Sequence, residues 1–329
     1  MRTINVVVTS NVGQECLELI SGVAGVNLRS VSDLLHDKLK GDEAAGAEFD
    51  AELARAEVIY GLRLPQDVLR KAPSLKWVQV MSAGVEHFLD ADMRESPVVL
   101  TNASGINALP IAEFVTGLML MFVKESSLCF EMKQNRKWER VSPVLLRSKT
   151  VGIIGLGNIG KEVARLSKVF GMRVIATRRS AREEGRARNV DLILPTSRLN
   201  ELLAESDFVV VAAPLTVETR GLIGEEELRT MKPTARLINV ARGAIVDEQS
   251  LTRALEEKWI AGAGLDVFAT EPLPHDSPLW TLPNVILSPH ISGGREDYVL
   301  AATMLFVENL RRYRDGRRLM NVVDKGRGY

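Results

Sequence analysis

Short runs of β-branched and other apolar residues alternate with longer stretches of helical periodicity along almost the whole chain, the pattern of parallel α/β architecture. In the first hundred residues the runs that read as strands are 4–9, 58–61, 77–80 and 98–101, with helical material at 51–57 and 65–71 between them. A second series starts at Thr150, with strands expected at 151–154, 173–176, 192–194, 208–212, 236–240, 263–267 and 285–287. Helical patterns at 160–170, 199–204, 225–231 and 248–256 separate them. The apolar stretch 109–134 reads as one helix connecting the two series. Residues 296–313 read as a last helix, able to return to the first domain and make it discontinuous. Two such series predict two doubly wound parallel-sheet domains. A length of 329 residues suits that number.

Composition narrows the partners. Lys plus Arg equals Asp plus Glu at 42 each, so no global field favours nucleic acid or an anionic membrane. The start MRTINVVVTS reads directly into a strand rather than into a signal peptide. Segment 108–123 is apolar but shorter than the roughly 20 residues a span needs, and Pro110 and Glu113 interrupt it. A buried helix in a soluble cytoplasmic protein is the expectation. Cys16 and Cys129 lack metal or redox spacing, and each reads as a buried free thiol in a reducing compartment.

The first chemical signal is Gly155-Leu156-Gly157-Asn158-Ile159-Gly160, placed between an apolar strand and an amphipathic helix. Gly155 serves a tight turn, Gly157 lets backbone approach a pyrophosphate, and Gly160 lets helix and strand pack closely. The helix N-terminus adds N–H donors and a positive dipole end for phosphate. Dinucleotide units that take NAD usually carry an acid about 20 residues after the first glycine. Here that stretch reads Ala176-Thr177-Arg178-Arg179-Ser180. Without the acid a 2′-phosphate is not repelled, and the arginines can bind one through charge-assisted hydrogen bonds. NADP is therefore expected over NAD, although NAD remains possible. Arg182, Arg186 and Arg188 follow, so a merely solvated basic loop is the alternative.

Three more motifs begin at predicted strand ends: Asn239-Val240-Ala241-Arg242-Gly243, then Gly264-Leu265-Asp266-Val267-Phe268 leading to Glu271-Pro272-Leu273, then Ser288-Pro289-His290. Ligands of open α/β sheets bind beyond the carboxyl ends of the strands, so Arg242, Glu271 and His290 can converge. Their chemistry suits a 2-oxo acid. An arginine fork holds carboxylate and carbonyl, a histidine exchanges a proton near neutrality, and a glutamate orients the ring and favours its charged form.

Together with the glycine turn, residues 75–79 (LKWVQ), 82–86 (SAGVE) and 110–113 (PIAE), the chain resembles the D-isomer-specific 2-hydroxyacid dehydrogenase family over nearly its full length. The resemblance implies a flavodoxin-like substrate domain from residues 1–101 plus 292–329 and a Rossmann dinucleotide-binding domain from 102–291. It implies Arg242 as substrate ligand, His290 as acid/base, Glu271 as its partner, and backbone amides at Ala83, Gly84 and Val85 as carboxylate holders. Ala213, Pro214, Thr219, Val240, Ala241 and Gly293 would join the glycine turn and residues 177–179 around the cofactor. Asp266 would lie near the nicotinamide carboxamide, or else simply cap the strand end. Glu271 argues against formate dehydrogenases, which carry Gln there. The missing acid and the ending at residues 323–329 look most like glyoxylate/hydroxypyruvate reductases, and Arg295-Glu296 departs from the family's usual stretch after the histidine. An NAD-dependent lactate- or phosphoglycerate-type enzyme remains the rival within the fold. A nucleotide-sensing protein resembling the C-terminal-binding corepressors is the rival outside catalysis. A homodimer is expected, with 109–123 as a candidate face, and Leu62, Arg63 and Trp280 as candidate pocket walls.

Overall fold

The structure is a computed structural model that describes residues 3–65 and 67–328, without the side chain of Glu86. Gln66, inside the expected helix 65–71, lies outside the described residues, as do Met1, Arg2 and Tyr329. The chain divides into two units. The first runs to Ile106 and resumes at Arg295; the second is Asn107–Gly294. Both crossings fall a few residues after the expected 101/102 and 291/292; at the first, Asn102 and Ala103 still donate to Asn321 and Ser82 of the first unit.

The first unit holds strands β1 (Ile4–Val8), β2 (Val26–Ser30), β3 (Val58–Gly61), β4 (Trp77–Val80) and β5 (Val99–Thr101) in the order β2-β1-β3-β4-β5, all parallel. That is the flavodoxin-like order. Its helices are α1 (Gln14–Ser21), α2 (Ser32–Leu39), α3 (Glu43–Ala54), α4 (Val68–Lys71) and α5 (Ala91–Glu95), with α12 (Tyr298–Arg314) returning from the far end of the chain. The sequence reading missed β2, α1, α2 and α5. β2 is an edge strand without a buried residue, so its alternation is weak. The expected 51–57 is only the end of α3, which starts at the Asp42 cap, where the carboxylate accepts from Ala45 N–H.

Helix α12 is held by aromatic packing. Phe306 stacks on Tyr60 with ring centroids 4.2 Å apart and also meets Trp77, while the Tyr60 hydroxyl bonds Thr303. Beyond it, residues 321–323 pair along β5, with Val323 N–H donating to Leu100 C=O.

The second unit is an eight-stranded sheet ordered β13-β12-β11-β10-β6-β7-β9-β8. Its strands are β6 (Thr150–Ile154), β7 (Arg173–Thr177), β8 (Gly185–Ala187), β9 (Val190–Leu194), β10 (Phe208–Val211), β11 (Arg236–Asn239), β12 (Gly262–Leu265) and β13 (Val285–Leu287). All pair in parallel except β8, an unexpected, fully exposed antiparallel edge strand inside the arginine-rich loop. Helices α6 (Ala108–Val123) and α8 (Asn158–Val169) cover one face. Helices α9 (Leu199–Glu205), α10 (Glu225–Thr230) and α11 (Glu248–Glu256) cover the other. With helices on both faces the central strands are apolar throughout, and every residue of β6 and β10 is buried.

The single connecting helix 109–134 is corrected. It breaks into α6 and α7 (Ser126–Gln134) at Glu125, whose φ of 54° is left-handed and cannot continue a helix. Both cysteines are free, but only Cys16 is buried. Cys129 is exposed because α7 buries no residue at all.

Candidate active site

In the parallel strands β6, β7 and β10 to β13, every C-terminal end lies on the same edge of the sheet, and the functional segments follow those ends. Strand order reverses between β6 and β10, the switch point where such sheets open a crevice. Gly155 turns the chain there with φ 98°, and a β-carbon would sit 2.8 Å from the Ala213 backbone. A β-carbon on Gly160 would overlap the Gly155 carbonyl, so α8 can approach β6 only with glycine at that place. Gly157 differs: a β-carbon there would meet nothing within 4 Å. That open approach to the α8 N-terminus, beside Asn158 and Ile159 in its first turn, fits a dinucleotide pyrophosphate. Leu156 contributes backbone rather than side chain, since its side chain is core and its N–H donates to Thr177 C=O at 3.2 Å.

On the β7 side, Thr177 is buried while Arg178, Arg179 and Ser180 are exposed. On the β10 side, the Thr219 hydroxyl donates to Pro214 C=O at 2.7 Å and closes the turn after Ala213.

Arg242 follows β11, Glu271 follows β12 and His290 follows β13. His290 Nδ1 lies 2.8 Å from Glu271 Oε2, and Glu271 Oε1 accepts from Phe268 N–H at 3.0 Å. An ionised carboxylate only accepts, so Nδ1 carries the proton toward it and leaves Nε2 for other partners. His290 has φ 55°, fixed by its N–H donating to Asp266 C=O at 2.9 Å. The Arg242 segment is tied into the same assembly. A β-carbon on Gly243 would overlap the Phe268 carbonyl, and Glu248 Oε2 accepts from Ala269 N–H at 2.9 Å. Asn239 braces the turn from inside, donating to Arg242 C=O and accepting from Ala241 N–H. Val240 and Ala241 pack in the core beside it.

A family model described as "D-isomer specific 2-hydroxyacid dehydrogenase, NAD binding domain" matches residues 116–292. A glyoxylate reductase of Aeropyrum pernix is 35% identical over 99% of this chain and 97% of its own. The chain belongs to the D-isomer-specific 2-hydroxyacid dehydrogenase family. It is therefore an oxidoreductase with a nicotinamide-dinucleotide-binding domain, acting on small 2-hydroxy acids. Two solved relatives share its architecture across the chain. A family member from Xanthobacter autotrophicus, in complex with NADPH and MES, has a TM-score of 0.83 at 29% identity, covering 99% of this chain and 100% of its own. An NADPH-dependent glyoxylate/hydroxypyruvate reductase from Sinorhizobium meliloti, in complex with NADP and sulfate, has 0.82 at 26%, with the same coverage. Among the described residues, no helix of this 2-hydroxyacid dehydrogenase is long and apolar enough to cross a membrane.

Two further features of the dehydrogenase fall one in each unit. Asp266, fully buried, accepts from the Ser288 hydroxyl at 2.6 Å, Ile291 N–H at 2.8 Å and Ser292 N–H at 2.9 Å. Its carboxylate thus organises the loop that carries His290. Gly293 continues that loop against the Asn107 side chain. In the first unit, the turn at Ala83–Gly84–Val85 follows β4. Its carbonyls are engaged from the side: Ala83 C=O by Asn102 Nδ2 and Gly84 C=O by the Ser82 hydroxyl, each at 2.7 Å. Val85 sends its side chain into the core. Sequence reasoning missed Glu248 and Asn239 as supports; an acid opening a helix six residues after Arg242 was the available signal for the first. Arg295 is bidentate to Asp297 and also bonds Ile106 C=O, so it clasps the first unit's two chain ends.

Proposed function

We propose that this enzyme reduces glyoxylate or hydroxypyruvate to the corresponding D-2-hydroxy acid with NADPH. The observation that carries the reading is the His290–Glu271 couple, whose free Nε2 stands at the strand edge that also bears the glycine turn. Bound NADPH supplies the hydride that goes to the 2-carbon of the oxo acid. His290 gives a proton from Nε2 to the developing alkoxide as Glu271 stabilises the imidazolium that delivers it. Arg242 offers its fork to the carboxylate and carbonyl oxygen. Backbone amides at Ala83, Gly84 and Val85 are assigned the carboxylate. Gly155 to Gly160, Ala213, Pro214, Thr219, Val240, Ala241 and Gly293 are assigned the cofactor, with Arg178 and Arg179 on its 2′-phosphate. Asp266 supports the nicotinamide end indirectly, through residues 288–292. The first unit is thus the substrate domain and the second the dinucleotide domain.

The test follows NADPH and NADH absorbance with glyoxylate, hydroxypyruvate, pyruvate and branched 2-oxo acids. Fast NADPH oxidation with one of the first two is expected. Equal efficiency with NADH would remove the cofactor assignment, and preference for pyruvate would move the reading to the lactate-type rival. NADPH binding without turnover on any acid would favour the sensing role.

The enzyme works as a homodimer in a reducing, cytoplasmic setting, which two unpaired thiols support. The expected face 109–123 is largely covered by its own unit, as α6 buries eight residues, many of them packed toward α8. The stretch after it offers Phe130, Trp138 and Leu145, with Trp138 99% exposed. A second copy covering that stretch should sediment at twice the chain mass, and Trp138→Arg should yield monomer. A monomeric wild type would overturn this.

A further inference from the structure

In the turn after β4 every carbonyl from Met81 to Gly84 is occupied. Met81 C=O accepts from the Tyr298 hydroxyl at 2.5 Å and Ser82 C=O from Ala103 N–H at 2.9 Å. Ala83 C=O accepts from Asn102 Nδ2 and Gly84 C=O from the Ser82 hydroxyl, each at 2.7 Å. The amides differ. Met81 N–H still donates to Gly61 C=O, but among the described residues the N–H groups of Ser82, Ala83, Gly84 and Val85 meet no acceptor. A peptide bond is planar, so a held carbonyl also fixes the direction of the next residue's N–H. Met81 C=O thus sets the Ser82 amide, and each later carbonyl sets the amide after it. Successive unpaired donors whose carbonyls are tied back suit a bound anion.

We propose that Tyr298 is a positioning residue that aims the Ser82 amide at the carboxylate of the 2-oxo acid, beside those of Ala83, Gly84 and Val85. The proposal rests on the assignment of this turn to the carboxylate. Asn102 and Ala103 follow β5, whereas Tyr298 is the first residue of α12 and reaches the turn from the other end of the chain. Its base is firm. Arg295 holds Asp297 and Ile106 C=O directly before it, and Phe306 and Thr303 anchor the same helix on Tyr60. Met81 is buried, so its carbonyl has no water to turn to if the hydroxyl is removed. Burial pushes the Tyr298 hydroxyl above its usual range, and it therefore stays a donor at neutral pH.

The experiment compares wild type, Tyr298→Phe and Tyr313→Phe. The last removes another hydroxyl of α12, one that donates to Glu57 rather than to the turn. Tyr298→Phe should raise the KM of the preferred oxo acid about three- to tenfold, the scale of one lost hydrogen bond. Its kcat and NADPH KM should stay within about twofold of wild type, the signature of lost substrate binding alone. Inhibition by oxalate should weaken by the same factor as the oxo acid KM, and Tyr313→Phe should change none of these. In 15N-labelled enzyme saturated with NADPH, oxalate should shift the amide signals of residues 82–85, with Ser82 moved least in Tyr298→Phe. An unchanged oxo acid KM in Tyr298→Phe would overturn the proposal, as would equal rises for the oxo acid and NADPH. An equal rise in Tyr313→Phe would overturn it too, by reducing Tyr298 to an anchor of α12. The carboxylate assignment fails separately, if oxalate competes with the oxo acid in wild type yet leaves the amides of residues 82–85 unmoved.

Discussion

The two rims of the same sheet edge are built differently. The segments after β11, β12 and β13 are knitted to one another: Glu271 to His290, Asp266 to residues 288–292, Glu248 to Ala269, and Gly243 against Phe268. The segment after β7 carries exposed arginines, held by Arg178 N–H to Leu194 C=O, Ala181 N–H to Arg178 C=O and the Arg198–Glu184 ion pair, with a three-residue edge strand beyond. Proton and hydride transfer depend on placement to a fraction of an ångström, so that rim is over-determined. Choosing between nucleotides that differ by one phosphate requires charge within reach, which the exposed Arg178 and Arg179 are proposed to supply.

Three substitutions separate the rims. His290→Gln removes the proposed proton donor and should lower kcat by about 10²- to 10⁴-fold while NADPH still binds, read by stopped-flow turnover and fluorescence titration. Retained turnover would sink the assignment. Gly243→Ala forces a β-carbon into the Phe268 carbonyl and should cost about 1–3 kcal/mol of stability together with activity, since it moves Arg242 and Glu271 at once. A melting curve unchanged from wild type would show that the knitting is looser than the packing implies. Arg178→Ala on the open rim should raise the NADPH KM about tenfold, the loss of one charge-assisted bond, and leave melting temperature and NADH kinetics alone. A shifted melting temperature would mean the rims are not independent.

Legibility in the sequence followed the same division. The glycine turn and the Arg242, Glu271 and His290 motifs could be read because each combines a strand end with residues whose chemistry is local. The supports could not. The three donors to Asp266 include two backbone amides about 25 residues further on, and nothing in the side chains of Ile291 and Ser292 announces them. In the first unit, β2 escaped notice because an edge strand with polar neighbours lacks a strong period. The break between α6 and α7 falls on Glu125, where no glycine or proline marks it.

The first unit takes its chain from both ends of the protein. Phe306 and Thr303 on α12 complete the packing around Tyr60 and Trp77, and residues 321–323 finish the edge at β5. During synthesis, residues 107–294 emerge as a contiguous sheet able to close on itself, whereas the amino-terminal third must wait, its aromatic residues uncovered, until α12 leaves the ribosome. The part made first is thus the part finished last.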